Sequence, residues 1–155
     1  MRLRVRDNKG NDKEKMSLYK IKLRYTDGLW RKYLRVKQGF TCQKCGRAYS
    51  PDNAANLQVA HFHSRRHENT RFDAENTLLL CGIPCHQYFD THRTEFEEFM
   101  LNRLGQERYD LLELKAHITK KRDDRGDALV IRAMIKELEH GEPITIGNST
   151  LVHMD

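Results

Sequence analysis

The stretch Glu75-Asn76-Thr77-Leu78-Leu79-Leu80-Cys81-Gly82-Ile83-Pro84-Cys85-His86 decides how this chain folds, because it ends in a cysteine pair with a histidine directly behind it. Upstream, Cys42-Gln43-Lys44-Cys45 forms a second close pair, followed by Gly46, which suits a tight turn after the second ligand. These are all four cysteines of the chain. Four soft thiolates in two close pairs match tetrahedral Zn²⁺. The second pair is spaced by three residues rather than the commoner two, with Pro84 in the wider loop. A structural zinc needs no open coordination position, so Cys42, Cys45, Cys81 and Cys85 are expected to staple the fold and not to react. Zinc binding would then be folding free energy.

Working outward, the region from Phe40 to His92 contains every cysteine and five of the eight histidines. It lacks long periodic segments and reads as small strands and loops around a metal. Beyond it the pattern turns helical. Thr94 with Glu97 predicts a capping box, followed by Phe96, Phe99, Met100, Arg103 and Leu104, with Gly105 ending the helix. Tyr109, Leu112 and Ala116 mark a second helix. Ala128, Ile131, Ile135 and Leu138 mark a third, ending near Gly141 and Pro143. On the N-terminal side, Tyr19, Ile21, Leu23 and Tyr25 alternate with basic residues, a period that reads as a strand with one basic face, with a helix as the alternative. Asp27-Gly28 reads as a turn. Leu29, Trp30, Tyr33, Leu34 and Lys37 recur at helical spacing, with Gly39 as the stop.

Charge is unevenly spread. The 155 residues carry a net +6, but residues 1–40 hold 13 Lys/Arg against four Asp/Glu, whereas residues 95–155 hold nine against 13. A basic N-terminal third is the footprint of a nucleic-acid binder, although a solvated lysine-rich terminus reads the same way on charge alone. No apolar run approaches the roughly 18–20 residues of a bilayer span, and the start has no secretory signal pattern. A reducing cytoplasm is therefore expected, where paired cysteines usually mean metal.

Between the cysteine pairs lies Leu57-Gln58-Val59-Ala60-His61-Phe62-His63-Ser64-Arg65-Arg66. Phosphodiester hydrolysis needs a base to activate water and a divalent cation to neutralise the phosphate. His61 is the candidate base, and His86 the candidate ligand for Mg²⁺ or Mn²⁺. His63 is a further candidate ligand, since alternation along a strand would put it on the face of His61. Arg65, Arg66 and Arg71 are candidate DNA-phosphate contacts, because guanidinium binds phosphate oxygens bidentately. Asp73 and Glu75 are read as orienting the loop, and His67 and His92 are given no role.

The order His61, Asn76, His86, interleaved with two cysteine pairs, resembles the HNH (ββα-metal) endonuclease signature. The resemblance implies that His61 is the general base, that Asn76 pins the loop between two strands, and that His86 binds the catalytic metal. It also implies strands near 57–62 and 77–80 and a helix starting near Cys85. Ala60-His61-Phe62-His63-Ser64-Arg65-Arg66 and Thr70-Arg71-Phe72-Asp73-Ala74-Glu75-Asn76 are similar to the phage NinG (Rap) recombination endonucleases, implicated in cleaving branched DNA. The chain departs from the family in two places. Many members carry Asp, Glu or His where this chain has Ala60, and NinG-like chains often carry Asn where it has His86.

The reading is an α+β protein with a zinc-stapled ββα-metal core and C-terminal helices: a basic segment over 1–27, the nuclease core over 28–105 and a helical extension over 106–155. The expected activity is metal-dependent cleavage of DNA, on branched intermediates or as general nicking by a phage or mobile-element enzyme. The rival readings are a zinc-knuckle DNA-binding protein without catalysis and a protein-interaction adaptor. The late helices offer a homodimer interface.

Overall fold

The computed structural model describes residues 22–141 and two short strands beyond them, Thr145–Ile146 and Ser149–Thr150. The first helix among the described residues, α1, spans Tyr25–Lys37 and buries Trp30, Tyr33 and Leu34, one face at helical spacing. Its start is fixed by Asp27, whose Oδ2 accepts the Arg24 backbone N–H at 2.7 Å. Arg35 and Lys37 complement the helix dipole in the last turn, and Gly39 takes the left-handed φ of +58° that turns the chain away. Tyr25 and the Asp27-Gly28 pair are thus helical. The turn expected at 27–28 is overturned because Asp27 serves as a cap. Residues 22–24 are not a strand, and Tyr19 and Ile21 of the expected alternation lie outside the described residues.

Two five-residue strands follow, β1 (Leu57–His61) and β2 (Thr77–Cys81), paired antiparallel from Leu57↔Cys81 to His61↔Thr77. Every residue of β2 is buried, which explains its unbroken apolar run. The register sets one end of the hairpin at the cysteine cluster and the other at His61. After a tight turn over Gly82–His86, containing a cis Ile83–Pro84 bond, comes the short α2 (Gln87–Thr91). It leads into α3 (Arg93–Leu104), α4 (Gln106–His117) and α5 (Asp124–His140). The remaining strands, β3 (Thr145–Ile146) and β4 (Ser149–Thr150), pair with each other.

Phe89, Phe96, Met100 and Leu104 join the buried core, with Phe89 and Phe96 stacked at 4.4 Å. The buried Ala128, Ile131 and Ile135 belong to α5, which packs along α1. The expected helix ends at Gly105 and Gly141 are present, both with positive φ. The expected capping box is not: α3 begins at Arg93 after His92, without a side-chain cap, and Glu97 instead accepts from Arg93 Nε at 3.0 Å. The boundary drawn at 27/28 falls inside α1.

The connection between β1 and β2 is long but firmly tied. Asn76, fully buried, accepts the His63 N–H at 2.7 Å and donates to the carbonyls of His63 and Thr70 at 3.0 and 2.9 Å. One side chain therefore closes the loop on itself by engaging three backbone groups. Arg103 donates to the carbonyls of Glu75 and Ala74, and Trp30 Nε1 donates to Thr77 Oγ1. Arg71, fully buried, forms a two-point pair with Asp27, with Nε–Oδ1 at 3.0 Å and Nη2–Oδ2 at 2.5 Å, and donates to the Arg65 carbonyl at 2.8 Å. Arg71 is thus an internal anchor and not the phosphate contact expected from sequence.

Removing one member of a buried ion pair strands the other charge without water, at a cost of about 3–5 kcal/mol. Asp27→Ala is therefore expected to lower unfolding free energy by that amount in urea titrations of the zinc-loaded protein. A loss under about 1 kcal/mol would show that the pair is solvated or replaceable.

Candidate zinc cluster and cleft

The sulfurs of Cys42, Cys45, Cys81 and Cys85 all lie within 4.8 Å of one another. Tetrahedral coordination with Zn–S bonds of about 2.3 Å places sulfurs roughly 3.8 Å apart, so the donor set and its spacing fit zinc. Three of the cysteines are buried and Cys45 is exposed, and none is in a disulfide. The cluster is assembled by the Cys42–Cys45 turn packing on the end of β2, where Cys81 N donates to Cys42 Sγ at 3.3 Å and Gln43 N to the Leu79 carbonyl at 2.8 Å. Burial pushes the Cys42 thiol up, but backbone N–H groups from Cys45, Cys81 and Lys44 outweigh it and bring it down to about 6. Cys85 goes the other way, to about 12, through burial and the neighbouring sulfurs. Four sulfurs this close cannot all ionise unless a cation compensates them. Among the described residues, no other group of three or more His, Cys, Asp or Glu side chains converges so closely.

His61 and His86, 25 positions apart in the chain, line one cleft of about 440 Å³. Its other walls include Arg24, Asp27, Arg31, Gln58 and Arg65. Placed at the end of β1, His61 directs Nε2 at the Arg71 carbonyl, 2.9 Å away. A carbonyl only accepts, so Nε2 carries the proton and Nδ1 keeps the lone pair. The buried Asp27–Arg71 pair thus holds the peptide that orients His61. Burial drives the His61 imidazolium down to about 4, against the weaker upward pull of the Arg71 carbonyl.

Titration of His61 follows directly. Its folded value of about 4 lies below the unfolded value of about 6.5, so the unfolded state binds the extra proton. The resulting stability, on the order of 3 kcal/mol, is fully present above the unfolded value and is lost as pH falls toward the folded one. NMR of the His61 ring in the zinc-loaded protein is expected to show a midpoint near 4. A midpoint above 6 would mean that the ring is solvated and the cleft geometry wrong.

His86 sits at the turn into α2. Its Nδ1 lies 3.0 Å from Gln58 Oε1 on β1, and its Nε2 lies 3.7 Å from Asp90 Oδ1, one helical turn on. Of the predicted phosphate contacts, Arg65 borders the cleft, while Arg66 borders a separate depression beside His67, His117 and Lys120. His63 is not among the cleft residues: β1 ends at His61, so strand alternation does not carry through to it, and its Nε2 lies 3.0 Å from Glu113 Oε1 on α4. It is therefore withdrawn as a ligand beside His61. Asp73 pairs with Lys115 and Glu75 with Arg108, both on α4. His67 Nδ1 donates to the Ala116 carbonyl and His92 stacks on Tyr88.

Sequence reading missed Arg31, Gln58 and Asp90. Arg31 and Asp90 are exposed polar residues on helices, where no local pattern separates them from ordinary surface. Gln58, three residues before His61, carries no signature of its own. No helix among the described residues is long and apolar enough to cross a membrane. Comparison with protein-family models, curated proteins and solved structures finds no match to this chain.

Proposed function

We propose that this protein is a zinc-stapled ββα-metal nuclease that hydrolyses phosphodiester bonds in DNA. The observation that carries the reading is the common cleft of His61 and His86, flanked by the guanidinium-bearing Arg31 and Arg65. His61, neutral and held through Nε2, takes a proton from water at Nδ1, and the resulting hydroxide attacks phosphorus. His86 Nε2 and Asp90 Oδ1 offer two donors to a hydrated Mg²⁺ or Mn²⁺, a sparse protein shell of the kind Mg²⁺ accepts. Asp90 supplies a carboxylate where Ala60 supplies none. When bound, the cation would neutralise the phosphate and the departing 3′ oxygen. Arg31 and Arg65 are the phosphate contacts of this reading. Asn76 acts by holding the loop shape, and the Cys₄ zinc is structural.

The experiment is plasmid cleavage by zinc-loaded protein, with and without added Mg²⁺ or Mn²⁺. Nicking that requires the added cation supports the enzyme. Salt-sensitive DNA binding with no cleavage under either cation sinks it in favour of a binding module. The NinG-like segment extends the proposal to branched DNA, which side-by-side cleavage of linear, forked and four-way substrates tests. A homodimer through the late helices belongs to the same proposal, supported by the exposed Leu111, Leu114 and Ile118 along α4 and just past its end.

A further inference from the structure

We infer that Gln58 is a positioning residue for His86: its amide oxygen holds the imidazole in the Nδ1–H form and leaves the Nε2 lone pair free beside Asp90 for a divalent cation. The inference rests on the nuclease reading for the role of the cation, but its chemistry is legible in the protein alone. Gln58 Oε1 lies 3.0 Å from His86 Nδ1. An amide oxygen accepts and cannot donate, so the proton of a neutral ring belongs on Nδ1. Metal-binding histidines commonly have the second ring nitrogen fixed in this way, which sets both tautomer and ring orientation.

The glycine at position 82 gives the amide its room. Gln58 Nε2 lies 2.6 Å from the point where a Cβ on Gly82 would stand, and Asn56 Oδ1 lies 2.8 Å from the same point. The amide nitrogen thus lies over the open face of Gly82 while the amide oxygen faces His86. Any side chain at position 82 would displace Gln58. The backbone contributes too, since Gly82 N donates to the Asn56 carbonyl at 2.7 Å. The strand that carries the proposed base therefore also carries the group that aims the proposed ligand. Hairpin register and metal-ligand orientation are coupled.

The test uses full-length zinc-loaded protein, with Gln58→Leu, Gln58→Glu and His86→Ala beside wild type. Gln58 is exposed, so zinc content and circular dichroism are expected to be unchanged in its variants. Long-range ¹H–¹⁵N NMR of His86 without added cation is expected to show Nδ1–H in wild type and Gln58→Glu, and a shift toward Nε2–H in Gln58→Leu. Mn²⁺ affinity, measured calorimetrically, is expected to fall about 10–100-fold in Gln58→Leu and to be restored in Gln58→Glu. An Nε2–H ring in wild type, donating to Asp90, overturns the inference, as does a Gln58→Leu protein with wild-type tautomer and Mn²⁺ affinity. If His86→Ala binds Mn²⁺ as well as wild type does, the cation site itself fails, and with it the nuclease reading. If only Gln58→Leu is silent, the inference about Gln58 fails alone.

Discussion

Withdrawal of zinc is expected to abolish the cooperative fold of this protein. Structural zinc sites contribute an apparent binding free energy of about 10–16 kcal/mol at neutral pH, whereas whole domains are stable by only about 5–15 kcal/mol. The cluster joins the turn at Cys42–Cys45 to the end of β2 and the start of the turn into α2. Without the cation, the sulfurs of Cys45 and Cys81, 3.4 Å apart, would have no compensating charge if ionised. The expected results are one zinc per chain by mass spectrometry of metals, and loss of the sharp thermal transition on chelation. Cys42→Ser is expected to reproduce that loss. A chelated protein that keeps its melting transition would remove zinc from the account of stability, leaving the apolar contacts of Trp30, Leu34, Leu57 and Leu78–Leu80 to hold the core.

The second large effect is expected at His61. A positioned general base contributes about 10²–10⁴-fold to rate, and His61→Ala is expected to slow cation-dependent plasmid nicking by that factor while DNA binding persists. The side chain has a structural bond as well, to the Arg71 carbonyl, so zinc content and the melting transition must be recorded beside the rate. His61→Asn keeps a donor for that carbonyl but is a poor base, and is expected to be as slow as alanine. Nicking at the wild-type rate by a folded His61→Asn protein would dispose of the assigned role. Because the buried ring stays neutral down to about 4, the proton-accepting form is expected to be at hand throughout the neutral range.

The cysteine spacing, the approximate places of the two strands and the stripes of the later helices were legible in the sequence. Each depends on neighbours a few positions away: two thiols on one turn, an apolar run that becomes β2, or a face repeating every three to four residues. Asn76 was also readable, through the HNH-like order of residues around it, and its three hydrogen bonds within the loop agree with the pinning role expected of it. Other features depended on distant partners. Arg65 and Arg71 look alike in the chain, yet Asp27, 44 positions before Arg71, converts that arginine into a buried anchor and leaves Arg65 at the cleft. His63 looked equivalent to His61 until the strand ended between them and Glu113 of α4 came within reach.

Local spacing thus determined which residues could bind a metal and which segments had an apolar face to bury. Packing alone decided which charges lost their water. A buried guanidinium or imidazole must find a partner to offset desolvation, and that partner is chosen by tertiary contact across tens of residues. The same physics decided what the eye could not find in the chain. Gln58 meets His86 only because the antiparallel register brings the cysteine end of β2 beside β1, and Gly82 leaves room there for an amide.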